Sequence, residues 1–266
     1  SKGDENFRLF GVDKDGKNQK DLTPFDKVRA GVVDDLVDSP NEMLIQMNKE
    51  NPQVFDVYRI NVNTGDMTVV GQNPGNITGW QTDHNGKLRV AITTDGVNSS
   101  VLYRDSEDQE FKPLLTTTFK ETFAPLFFTF DNKNLYVSTN IGRDKASIVE
   151  YDIPNKKEVK VLYENPDYDV SGLSYSRKRK VIEFANYTGW KREYYFFDKE
   201  AKDIYNDLTS KLPGKELFVT GINKNEDKML VRTYSDKSLG SFYFYNVKTK
   251  ELSKLIDVSP WLNEND

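Results

Sequence analysis

Six times the chain writes a short aromatic or aliphatic strand that closes on Asp or Asn and runs into a lysine- or glycine-bearing turn. The fullest copy is Val149–Leu162, read as a strand to Asp152, a polar turn through Pro154-Asn155-Lys156, and a second strand. The other five close at Asp13, Asn61, Asp105, Asp198 and Asn246, so that successive closing residues lie 48, 44, 47, 46 and 48 apart. A period in the forties built only from short strands marks propeller blades, each repeat being one sheet that cannot bury its faces alone. A short carboxylate or amide can accept from backbone N–H groups two residues on and so fix a chain reversal. The recurring Asp or Asn is therefore read as part of the fold.

The expected fold class is all-β: a β-propeller of four-stranded antiparallel blades, five complete and one partial, with strands and turns and no substantial helix. One domain is expected over residues 1–266, with a partial blade at 7–22 and blades at about 32–70, 77–118, 123–164, 169–210 and 216–256. The inner strand of the first blade reads as Val32–Val37 and the outer strand of the fourth as Ile204–Leu208. Residues 257–266 read as the start of a linker to a C-terminal domain, and Ser1-Lys2-Gly3-Asp4-Glu5 as a cut edge.

A hydrophobic content of 36 % with 30 % charged residues suits blades, which bury sheet-to-sheet faces and leave their outer edges in water. The 16 Phe and 14 Tyr suit strands. A net charge of −5 argues against nucleic acid and against an anionic membrane as partners. No apolar run reaches the ~18 residues that a spanning helix requires.

A Ser-His-Asp hydrolase needs a histidine to carry a proton between nucleophile and leaving group. The single histidine, His84, lies in the turn Asp83-His84-Asn85-Gly86 and reads as a turn residue. No Gly-x-Ser-x-Gly elbow is present. One histidine and no cysteine remove the usual zinc sites, and no metal or other cofactor is expected. The turn Asp13–Asn18 is oxygen-rich, but a calcium loop needs a bidentate Glu at its twelfth position, where this chain has Thr23 or Pro24.

Loops between second and third strands differ from blade to blade, and variable loops on a rigid scaffold are where binding concentrates. In an antiparallel blade they open on the same rim as the connections between blades. Arg143, Asp144, Trp190 and Arg192, in two of these loops, are the candidate interface residues, being types enriched at binding hot spots and ion-pair contacts. The competing reading gives Arg143 and Asp144 local ion pairs and makes Trp190 an edge cap.

The segment Leu135–Ala146, with its Ser-x-Asn-x-Gly-Arg-Asp run, resembles propellers of bacterial prolyl oligopeptidase-family serine peptidases. Trp80–Arg89, Asp169–Tyr175 and Val258–Leu262 resemble further segments of the same region, in the same order. The resemblance implies a non-catalytic propeller that gates peptide access to an α/β-hydrolase domain. That domain and peptide substrates would then be its partners, in a periplasmic or secreted setting. No catalytic residue carries over to this stretch. Dipeptide-releasing relatives hold the substrate amino terminus with a Glu-Glu pair, which this chain lacks.

Two other readings compete. A free-standing TolB-like propeller would bind protein or ligand. A propeller enzyme of the lactonase or glycosidase kind would need clustered acids on inner strands, for which only Asp34, Asp35 and Asp38 offer themselves.

Overall fold

A computed structural model describes residues 3–262. Ser1 and Lys2 of the presumed cut edge, and 263–266 of the linker, lie outside the described residues. The chain divides into two compact units: Ser1–Arg143 with Val149–Lys160, and Asp144–Ile148 with Val161–Asp266.

Among the described residues the chain is all-β apart from one helix, and its sheets are antiparallel blades. Strands β1 (Phe10–Gly11) and β2 (Lys20–Asp21) form a two-stranded ladder. The first blade follows as β3 (Ala30–Asp34), β4 (Glu42–Met47), β5 (Asp56–Asn61) and β6 (Met67–Gly71), hydrogen-bonded in chain order. The second runs β7 (Ile77–Thr82), β8 (Leu88–Thr94), β9 (Ser99–Tyr103) and β10 (Lys112–Thr117). The third runs β11 (Phe123–Phe128), β12 (Asn134–Thr139), β13 (Ser147–Asp152) and β14 (Lys157–Tyr163). The fourth has three strands, β15 (Val170–Ser176), β16 (Val181–Thr188) and β17 (Arg192–Phe196), and then helix α1 (Lys199–Lys211). The fifth is β18 (Glu216–Ile222), β19 (Lys228–Tyr234), β20 (Ser241–Asn246) and β21 (Glu251–Asp257).

Three strand-level expectations are corrected. The partial blade at 7–22 shrinks to the β1–β2 ladder, two residues on each side, because only Leu9 and Leu22 of this polar stretch reach a core. The inner strand expected to Val37 stops at Asp34. Its side chain accepts the Leu36 backbone N–H at 2.8 Å, and Leu36 turns to a φ of 47°. The strand expected at Ile204–Leu208 is the middle of α1. Asp198 caps that helix by accepting the Ala201 N–H at 2.9 Å. Ala201, Ile204, Leu208 and Leu212 recur at helical spacing, and Lys199–Asp203 and Asp207–Lys211 pair one turn apart on its surface.

The closing Asp and Asn residues act as expected in three blades. Asn61 accepts from Asn63 and Thr64, Asp152 from Asn155, and Asn246 from Lys248 and Thr249, all backbone donors at 2.9–3.2 Å. In the fourth blade the same position supplies the helix cap.

Within the first unit, neighbouring blades pack face to face. Leu44 and Val57 of the first blade meet Leu88, Trp80 and Phe111 of the second. Val90, Val101 and Leu114 of the second meet Phe128, Leu135 and Val137 of the third. In the second unit, Leu208 and Leu212 of α1 pack on Leu217, Met229, Val231 and Tyr245 of the fifth blade. Burying such side chains contributes about 1.5–3 kcal/mol each.

Candidate functional site

Polar contacts repeat the blade period. Arg59 reaches Glu107 at 3.0 Å, 48 residues on, and the Thr82 hydroxyl donates to Asp34 across the same separation. The Lys178 N–H donates to Glu226 at 3.0 Å, again 48 apart. Most of these ties sit at the turns between first and second strands, so that rim is sewn blade to blade. His84 belongs to this seam. Its backbone N–H donates to Asn132, its Nε2 lies 2.8 Å from the Phe128 carbonyl, and its ring stacks on Phe130. The histidine read as a plain turn residue is thus a connector between two blades.

Within each unit, the loops between second and third strands lie beside the blade connections, at the strand ends opposite those turns. In the first unit, Asn140 and Thr122 exchange hydrogen bonds at 2.7 and 3.3 Å, and Thr94 donates to the Asn76 carbonyl at 3.1 Å. In the second unit, Asp169 accepts the Ala146 N–H at 2.7 Å, and Lys191 pairs with Glu216 at 3.5 Å. The Asp95 carboxylate holds its loop through the Asn98 and Val97 N–H groups and the Asn98 side chain, which bring its pKa down to about 2.

In each unit these loops and connections leave large apolar side chains in water. Val97 and Phe119 stand exposed in the first unit, Phe119 at 79 %. Tyr168, Trp190 and Leu239 do so in the second, Trp190 at 94 %. Exposed aromatics in such loops are the residue types that anchor interaction surfaces.

The four candidate residues are placed as follows. Arg143, in the first unit, bonds Glu158 of β14 at 2.6 Å, while its other terminal nitrogen, Nη1, is buried without a hydrogen-bond partner. Asp144 is exposed and pairs with Lys145 at 3.3 Å. Trp190 stands at the tip of the β16–β17 loop, whose ends are the paired residues Thr188 and Arg192. Arg192 lies over the Phe218 ring at 4.6 Å. Trp190 and Arg192 therefore share one hairpin end, and Arg143 is already committed to a local ion pair. Phe119, Tyr168 and Leu239 were not singled out from sequence. A lone apolar residue in a polar loop is the signal that marks them.

Among the described residues no group of three His, Cys, Asp or Glu side chains is placed to hold an ion. Asp34, central to the acid cluster of the propeller-enzyme reading, is occupied by the Leu36 N–H and the Thr82 hydroxyl.

Over 272 aligned residues the chain is 28 % identical to dipeptidyl aminopeptidase BIII of Pseudoxanthomonas mexicana, covering 98 % of this chain and 38 % of that enzyme. The chain resembles the propeller part of a prolyl oligopeptidase-family serine peptidase. Solved structures agree on the fold of that peptidase propeller. A puromycin-hydrolysing peptidase of Mycobacterium tuberculosis superposes with a TM-score of 0.61 at 12 % identity, over 95 % of this chain and 42 % of that one. Prolyl oligopeptidase B of Galerina marginata gives 0.55 at 15 % identity, over 96 % and 37 %. The chain spans less than half the length of each of these relatives. No family model matches it.

Proposed function

We propose that the chain is the non-catalytic propeller of a prolyl oligopeptidase-family serine peptidase and gates the access of peptides to an α/β-hydrolase domain. The likeness to dipeptidyl aminopeptidase BIII along nearly the whole chain carries this reading. The exposed Phe119 in the first unit and Trp190 in the second support it. In this reading the exposed loop residues face the hydrolase domain, and the ties between turns keep neighbouring blades in register within each unit. Trp190 serves as a contact anchor, since a large aromatic loses little entropy for the area it covers, and Arg143 holds its loop in place through its pair with Glu158. Interdomain surfaces of this kind are modest and polar, so single changes loosen them without unfolding either side.

The test is made in a full-length peptidase containing this propeller. Arg143→Ala combined with Trp190→Ala should widen the range of peptide lengths cleaved, while the propeller alone keeps its melting temperature to within about 5 °C. Unchanged length selectivity together with collapse of the isolated propeller would assign both residues to structure and remove the gating role from these loops.

A further inference from the structure

Arg179, in the β15–β16 turn, serves three carboxylates. Its Nη1 donates to the capping carboxylate of Asp198 at 2.8 Å and lies 3.6 Å from Glu200 in the first turn of α1. Its Nη2 donates to Oε1 of Glu183, on β16, at 3.2 Å. The Glu183 side chain is only 20 % exposed, and its Oε2 accepts the Ser174 hydroxyl of β15 at 3.0 Å. The Glu183 carbonyl accepts the Phe197 and Asp198 N–H groups at 2.9 and 3.1 Å, so the residue is also tied to the start of the helix. All of these residues belong to the second unit.

One guanidinium does not neutralise three carboxylates, and burial disfavours an ion that is incompletely paired. Burial raises the Glu183 carboxyl above its ordinary 4.5. Ser174 and Arg179 oppose the rise, while the charges of Glu226 and Asp198 add to it. Glu226 reaches this place from the β18–β19 turn, held by the Ser176 hydroxyl and the Lys178 N–H. On β17 the residue alongside is the uncharged Phe196, paired with Phe184. At Asp198 burial pushes the same way, but the Ala201 N–H and Arg179 outweigh it and hold that carboxyl below 3.8. The two carboxylates that share Arg179 are thus driven apart, and Glu183 takes up a proton first.

We propose that Glu183 is an acid-sensitive brake on helix α1. Ionised, it holds one arm of Arg179 away from the helix start. Protonated, it gives that arm up, and the guanidinium closes on Asp198 and Glu200. A carboxyl whose folded pKa is raised contributes its full stability below the unfolded value, and that contribution is lost as the pH rises through the folded one. The hold on α1 is therefore weaker at neutral pH and strengthens as the pH falls toward 4.5. The cap outlasts this window, because Asp198 keeps its charge until the pH is below 3.8. Since α1 carries Leu208 and Leu212 onto the fifth blade, mild acid tightens the join between the fourth and fifth blades.

The experiment is amide hydrogen exchange in peptides from α1, divided by the intrinsic rate at each pH, for the wild type and Glu183→Gln at about pH 7 and about pH 5. Wild-type protection should be higher in acid by about twofold or more. Glu183→Gln, uncharged at either pH, should be better protected than the wild type at neutral pH, and the difference should shrink in acid. Wild-type protection that is equal or lower in acid would overturn the proposal. So would a glutamine variant no better protected at neutral pH, or a difference that does not change with pH. An equal rise in peptides of β8, in the first unit, would assign the change to the whole fold and overturn it as well. If the glutamine variant does not fold, the wild-type comparison between the two pH values, with β8 as reference, decides alone.

Discussion

The backbone N–H of His84 donates to Oδ1 of Asn132 at 3.0 Å, 48 residues further along the chain. The two residues occupy corresponding turns of successive blades, and the bond makes the sequence period a physical contact. Asn132 adopts a φ of 59°, a conformation that Asn tolerates better than most residues. Asn132→Ala should lose about 1–3 kcal/mol in urea unfolding, from the orphaned donor and the strained backbone together. Asn132→Gly loses the same acceptor but relieves the strain, and should fall between. A glycine variant as stable as the wild type would show that the bond contributes nothing.

Helix α1 depends on one carboxylate with two tasks. Asp198 caps the helix and also receives Arg179 at 2.8 Å. Asp198→Ala should therefore cost about 1–2 kcal/mol, with a visible loss of ellipticity at 222 nm, the band to which α1 contributes most. Asp198→Asn keeps an acceptor for the cap and should cost less. Equal losses for the two variants would shift the weight from the cap to the ion pair.

Alkali should unfold the protein through its tyrosines. Burial, and the hydrogen bond to Asp105, raise Tyr103 to about 12, and burial with the hydrogen bond to Glu193 does the same for Tyr187. Burial likewise raises Tyr245, which donates to Asp207 at 2.7 Å. A folded-state pKa above the unfolded value of 10 means that the stabilisation is complete below pH 10 and is lost as the pH climbs toward 12. Absorbance at 295 nm should show a late class of tyrosines that ionises together with the loss of β-structure. Complete ionisation near pH 10 with the fold intact would contradict these burials.

The isolated chain should not react with a fluorophosphonate probe of serine hydrolases. The only imidazole, His84, is taken up by the Phe128 carbonyl and the Phe130 ring, and no strained elbow presents a serine beside it. Stoichiometric labelling abolished by a single Ser→Ala change would refute this.

The blades were legible in the sequence because the turn chemistry at Asn61, Asp152 and Asn246 is local and repeats. Helix α1 was equally written there, in Asp198 and in the spacing of Ala201, Ile204, Leu208 and Leu212. The period masked it, since a repeat of strands predicts a strand at that place. The exposure of Trp190 follows from a loop of three residues between paired Thr188 and Arg192. The partner of Arg143 does not follow from its loop, because Glu158 lies on a strand two elements away whose approach is set by the sheet. The role of His84 was hidden for the same reason, its partners belonging to the next blade.

Asp198 stands where Asp152 and Asn246 stand, yet what it introduces is a helix and not a strand. A carboxylate that can start either element makes the outermost layer of a blade a replaceable part. The three inner strands of the fourth blade are complete without a fourth, and α1 supplies Leu208 and Leu212 to the neighbouring sheet in its stead. Sequence can therefore drift, lengthen or be grafted beyond that residue while the inner strands keep their register. New surface can be added to this scaffold at its periphery without redrawing its centre.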